Sequence, residues 1–179
     1  MKNIDPTNLV FVDEMGVLLG LTRTHARSNS DSRVYDFKPF YRGAKVTVVG
    51  AISLTTVVAL MTLDGSMNSE AFEVFVKYFL VPNLWEGAVV VMDNLPAHKL
   101  ATIEPLIQAA GASVLNLSPY SPDFNPIELY FSKLKSALRA LAERTVDALR
   151  NAIGKIYDAV TPAHCNHFFH NAGYAVGKS

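Results

Sequence analysis

The chain has 179 residues, with 16 Lys+Arg against 16 Asp+Glu and a formal net charge of zero. That length suits one domain with a substantial core, and a content of 50% apolar and 18% charged residues excludes an intrinsically disordered protein. The lone Cys165 excludes a disulfide scaffold and a cysteine-built zinc site, and the charge balance, taken over the whole chain, argues against nucleic acid.

The first half reads as β structure. Leu9-Val10-Phe11-Val12 predicts a short buried strand that ends on Asp13-Glu14, with a turn at Met15-Gly16 and a second strand over Val17 to Thr24. Residues 25–43 are polar and rich in Ser, Asp and Arg, and read as a loop. Lys45 to Leu54 and Thr55 to Leu63, rich in Val, Ile and Thr, predict a further strand with a hairpin partner.

Helix and strand alternate afterwards. Asn68 or Ser69 can cap a helix that runs to about Leu80, before Pro82. Ala88 to Met92 is an almost pure apolar run and predicts a central strand ending on Asp93. A helix is expected from His98 to Ala110, stopped by Gly111, and a short strand over Ser113 to Leu117. A proline-rich loop, Ser118 to Asn125, leads into helices at 126–141, 146–159 and 161–171. This order predicts an α/β fold with a mixed central sheet of about five strands and helices on both faces. No stretch approaches 18 consecutive apolar residues and Met1 to Pro6 is not a signal peptide, so no membrane partner and a cytoplasmic location are expected.

Three acids occupy informative places. Asp13 and Asp93 each follow an apolar strand, at the edge where open α/β sheets carry their ligand sites. If those strands are neighbours, two carboxylates meet, and either one protonates or a cation bridges them. Hard oxygen ligands select Mg²⁺ or Mn²⁺, and a pair of such ions can serve phosphoryl transfer. Glu128 lies in the first turn of the helix after the proline-rich loop, where Asn125 and Pro126 mark the start. Each acid also has a plainer reading, as a turn residue or as a favourable charge at a helix N-terminus. Glu14 should point away from Asp13 across the strand and act in support. On the Glu128 helix, Ile127, Tyr130, Leu134, Leu138 and Leu141 define the expected core face. Lys135 and Arg139 share the azimuth of Glu128, an edge suited to a polyanion or simply to solvent. His164, His167 and His170 lack a nearby acid or second cysteine and read as packing or solvent contacts.

The blocks Val12-Asp13-Glu14-Met15-Gly16, Gly43 to Ala51, Met92-Asp93-Asn94 with His98, and above all Ser118-Pro119-Tyr120-Ser121-Pro122-Asp123-Phe124-Asn125-Pro126-Ile127-Glu128 resemble the catalytic domain of mariner-like DDE transposases, in their bacterial insertion-sequence branch. The 34 residues between Asp93 and Glu128 agree with that pattern, and the resemblance extends from about Leu9 to Tyr174. It implies an RNase H-like fold, and a catalytic, metal-binding triad of Asp13, Asp93 and Glu128 holding two Mg²⁺ ions, with Mn²⁺ as substitute. It implies DNA cleavage at transposon ends, then attack of the freed 3′-hydroxyl on target DNA, usually at TA. Asn94 and His98 would stand beside the metals or on DNA phosphate, and Tyr120 and Asn125 would touch DNA or support the site. A homodimer is implied, because two ends must be brought together.

Asp13 follows Met1 by only twelve residues, so residues 1–179 are expected to be one catalytic domain without the helix-turn-helix module that reads the transposon ends. The chain then corresponds to an excised domain or to the second half of a split reading frame, with a separately encoded recognition part. Two other functions fit the same residues: a domesticated or decayed remnant that binds DNA or protein without catalysis, and a hydrolytic nuclease of the same fold. Divided by segment, the charge balance changes meaning. Residues 1–45 carry 7 basic and 5 acidic groups and residues 128–179 carry 7 and 4, whereas 46–96 carry 1 and 5. Positive ends flank an acidic middle, so neutrality does not exclude DNA.

Overall fold

A run of ten residues, Leu9–Leu18, forms one continuous strand, β1, in the computed structural model of the chain, which describes residues 4–22, 35, 44–92, 101–117 and 124–174. The turn expected at Met15-Gly16 is therefore absent, and Val17 and Leu18 continue the first strand instead of starting a second. The cause is a full-length antiparallel partner. Strand β2 (Lys45–Ile52) pairs with β1 from Phe11↔Ile52 to Leu18↔Lys45, and Met15 and Val17 stay buried beneath it. Local turn chemistry yields here to the sheet pairing.

Strand β3 (Val57–Asp64) completes the expected hairpin with β2, closed where the Ser53 N–H donates to the Thr56 carbonyl at 2.8 Å. Helix α1 (Ser69–Phe75) is capped by Asn68, whose side chain accepts from the Ala71 N–H at 2.8 Å. The chain then widens into a π-turn over Val76–Leu80 and a 3₁₀ turn over Val81–Asn83 that accommodates Pro82.

Strand β4 (Val89–Met92) runs parallel to β1, from Leu9↔Val89 to Val12↔Met92. Helix α2 (Ile103–Ala109) ends before Gly111, which takes the left-handed conformation (φ +75°) that a side chain disfavours. The start expected for this helix at His98 lies outside the described residues. Strand β5 (Ser113–Asn116) is parallel to β4. Helix α3 (Pro126–Leu141) has the boundaries expected from the sequence, and α4 (Val146–Asp158) and α5 (Pro162–Asn171) follow.

The sheet order is β3-β2-β1-β4-β5, a mixed five-stranded sheet with helices on both faces. Alternation along β1 divides the core in two. Leu9, Phe11, Met15 and Val17 pack with α3, α4 and α5, whereas Val10 and Val12 pack with α1, the π-turn and α2. Each fully buried Phe or Leu contributes about 1.5–3 kcal/mol to this arrangement. On α3 the buried set is Pro126, Ile127, Tyr130, Phe131, Leu134 and Leu138. The expected core residue Leu141 is 52% exposed. It lies in the last turn, immediately before Ala142 takes φ +52° and turns the chain off the helix axis. No helix among the described residues is long and apolar enough to cross a membrane.

Candidate active site

Asp13 is the fifth residue of β1, directly opposite Gly50 of β2, and one residue beyond the last parallel pair with β4, Val12↔Met92. By strand alternation it shares the face of Phe11 and Met15, the face covered by α3, α4 and α5. Among the described residues, N–H groups of Glu14 and Asn125 hold its carboxylate. Oδ1 accepts from the Glu14 backbone at 2.7 Å, and Oδ2 accepts from Asn125 Nδ2 at 3.2 Å.

The second of these bonds spans 112 residues and brings the start of α3 to β1. Asn125 occupies the N-cap position, as its sequence predicts, but its side chain makes no capping bond. Pro126, at the first helical position, has no N–H to satisfy. Asn125 is 6% exposed, and its Oδ1 has no hydrogen-bond partner. Glu128 follows in the first turn, its own N–H donating to the Asn125 carbonyl at 3.2 Å, with its side chain exposed. A carboxylate at a helix N-terminus is stabilised there without a cationic partner.

Gly50 allows this close approach. A Cβ at that position would lie 3.4 Å from Phe131 of α3 and 3.4 Å from Leu60 of β3, at the near limit of van der Waals contact. Phe131 is three residues after Glu128, so a side chain larger than a methyl group at Gly50 would meet the helix that carries the acid. Sequence reading missed Gly50. The available signal is a glycine inside an otherwise β-branched run, which marks close approach of another element.

A ring of aromatic side chains supports the same region. Phe11, two residues before Asp13, meets Phe169 edge-on at 5.5 Å and Tyr174 at 5.3 Å. The Tyr174 hydroxyl donates to the Phe124 carbonyl at 2.7 Å, next to Asn125. Burial pushes that phenol up to about 12, so it remains a donor across the physiological range.

The other sequence-predicted residues divide clearly. Glu14 lies on the opposite face of β1 from Asp13, as alternation requires, half-buried and with Oε2 lacking a hydrogen-bond partner. Lys135 and Arg139 are half-buried at the margin of α3, on the Glu128 side, with no carboxylate within ion-pair distance among the described residues. Asp93, Asn94, His98 and Tyr120 lie outside the described residues. His164 closes a capping box with Thr161 at the start of α5, and His167 is hydrogen-bonded to Asn171 at 3.0 Å. Among the described residues no three His, Cys, Asp or Glu side chains cluster as a metal site; two of the three expected acids are within that set.

The DDE superfamily endonuclease family matches residues 8–150. The chain belongs to that family. It is 27% identical over 122 residues, 66% of its length and 45% of the relative's, to the Tc1 transposable-element transposase of Caenorhabditis elegans. Among solved structures, the mariner Mos1 paired-end complex with Mg superposes with a TM-score of 0.77 at 15% identity, over 96% of this chain and 54% of the Mos1 chain. The isolated catalytic domain of Mos1 mariner transposase gives a TM-score of 0.66 at 14% identity, over 96% of this chain and 79% of that domain. The chain thus spans about half the length of these full-length transposases and most of the length of the catalytic domain. This member of the DDE endonuclease family shares the RNase H-like fold of that domain.

Proposed function

We propose that this DDE domain cleaves a DNA strand at transposon ends and joins the freed 3′-hydroxyl to target DNA. The observation that carries the reading is the Asp13–Asn125 bond. It joins the first acid of the family pattern to the N-terminus of the helix that bears the third. The second acid, Asp93, directly follows Met92, whose strand partner Val12 directly precedes Asp13. The Val12↔Met92 register supports a reading in which the three acids serve one edge of the sheet.

The donor set fits divalent cations of the Mg²⁺ or Mn²⁺ class. Asp13, Asp93 and Glu128 offer hard carboxylate oxygens, and the buried, unpartnered Asn125 Oδ1 marks a polar site that a hydrated ligand would complete. Two bound cations would supply Lewis-acid charge stabilisation to the attacking and leaving oxygens. The chain's own residues supply position. The Glu14 N–H and Asn125 Nδ2–H hold the Asp13 carboxylate, and Phe131 of α3 packs over Gly50 beside it. Lys135 and Arg139, along the same helix edge, would hold the phosphates of a strand crossing Glu128.

In the cleavage step, water forms a bond to phosphorus as the bond to the 3′-oxygen breaks, and that oxygen takes a proton. In the joining step, the 3′-hydroxyl replaces water and a target 3′-oxygen leaves, so one phosphodiester forms as another breaks. No external energy source is needed. The functional partners in this reading are transposon-end DNA, a TA-containing target, a second copy of the chain and a helix-turn-helix part that recognises the ends, with action on cytoplasmic, nucleoid DNA.

The test is nicking of supercoiled plasmid DNA by the 179-residue chain. Nicking is expected in Mn²⁺ or Mg²⁺, and a fall to background in excess EDTA. Binding of plasmid without nicking in either cation would replace this reading with that of a DNA-binding remnant.

A further inference from the structure

We propose that Asn125 is a positioning residue for the cation site, acting through Asp13; this rests on the metal-binding reading above. An asparagine at an N-cap ordinarily accepts a hydrogen bond from the N–H two or three residues on. Asn125 has the cap position and the extended backbone (φ −107°, ψ 97°), yet it makes no such bond. Its amide instead donates to Asp13 Oδ2 at 3.2 Å, across 112 residues of chain.

The other amide atom completes the argument. Asn125 Oδ1 is buried without a partner in a side chain that is 6% exposed. A buried, unsatisfied acceptor is costly and uncommon in native folds, and its usual resolution is a water or ligand. The amide cannot simply rotate to relieve it. Rotation would set Oδ1 against the Asp13 carboxylate, oxygen to oxygen, and lose the bond that Nδ2 makes. Asn125 therefore faces in two directions. Its Nδ2–H locks the Asp13 carboxylate, and its Oδ1 takes a hydrogen bond from the hydration shell of the bound cation. Because Asn125 also opens α3, the same residue sets the separation of Asp13 from Glu128, three residues on.

Mn²⁺ affinity of the full 179-residue chain, measured by the electron paramagnetic resonance signal of free Mn²⁺, separates positioning from helix capping. Asn125→Ala is expected to weaken Mn²⁺ binding by about 10–100-fold, the usual effect of losing a group that orients a metal ligand. Asn125→Ser is the control for folding. Serine is an equally good N-cap but too short to span to Asp13, so it should weaken Mn²⁺ binding as much as alanine while the unfolding midpoint of the metal-free protein is kept. Asp13→Asn marks the full loss of the site. If Asp13→Asn loses Mn²⁺ and both Asn125 variants bind it as the unmodified chain does, the role of Asn125 is overturned and the triad stands. If Asp13→Asn itself binds Mn²⁺ undiminished, the triad reading falls and this inference falls with it.

Discussion

Asp13→Asn, Asp93→Asn and Glu128→Gln are each expected to lower the proposed metal-dependent nicking by at least about a thousand-fold, roughly 4 kcal/mol of transition-state stabilisation. Each replacement keeps shape and removes a charge that the proposed cation site requires. The fold should be indifferent to the change. At Asp13 the reason is specific. The new amide keeps an acceptor for the Glu14 N–H, and Asn125 can rotate so that its unpartnered Oδ1 accepts from the new NH₂. Glu128 is exposed, where isosteric substitutions ordinarily change stability by less than about 0.5 kcal/mol. Activity and thermal unfolding measured on the same preparations check the pair of expectations. Undiminished nicking by any one of the three variants removes that acid from the catalytic set.

Phe169→Ala has the opposite signature. Phe169 is fully buried between Phe11 and Tyr174, with ring centroids at 5.5 and 5.7 Å. Truncation leaves a cavity that the central strand and the end of α5 cannot both close, at a cost of about 3–5 kcal/mol. For a chain of this length that lowers the unfolding midpoint by about 10 °C. Nicking at a temperature where the variant is folded should fall only modestly, because the supporting aromatics hold the site indirectly. An unfolding midpoint within about 2 °C of the unmodified chain would show that this cluster does not carry the core.

The two predictions separate what the sequence makes legible from what it does not. Helix α3 was readable to the residue because Asn125-Pro126 signals its start and apolar spacing fixes its face. The sheet was readable as about five strands, since β-branched runs such as Val46 to Ile52 and Val89 to Met92 have few other homes. Strand β1 was cut short because Met15-Gly16 has turn chemistry; only the antiparallel partner, thirty residues on in the chain, keeps it extended. Leu141 follows the core period but lies where the helix ends.

At the site, local signals single out three candidate acids but not how Asp13 is held. Strand ends and a helix N-terminus are visible along the chain, whereas the Asp13–Asn125 bond joins residues 112 apart. Gly50 likewise acquires meaning only when Phe131 is seen above it. The charge balance that first argued against DNA is informative only by segment. The helix edge of Glu128, Lys135 and Arg139 belongs to the basic C-terminal segment, and the acidic middle contains Asp93.

Anomalous diffraction from crystals of the chain grown with Mn²⁺ tests the central claim most directly. The account predicts at least one Mn²⁺ peak ligated at about 2 Å by Asp13 together with Asp93 or Glu128. A fully occupied Mn²⁺ site elsewhere, with the Asp13 carboxylate making no contact to metal at saturating Mn²⁺, would contradict it.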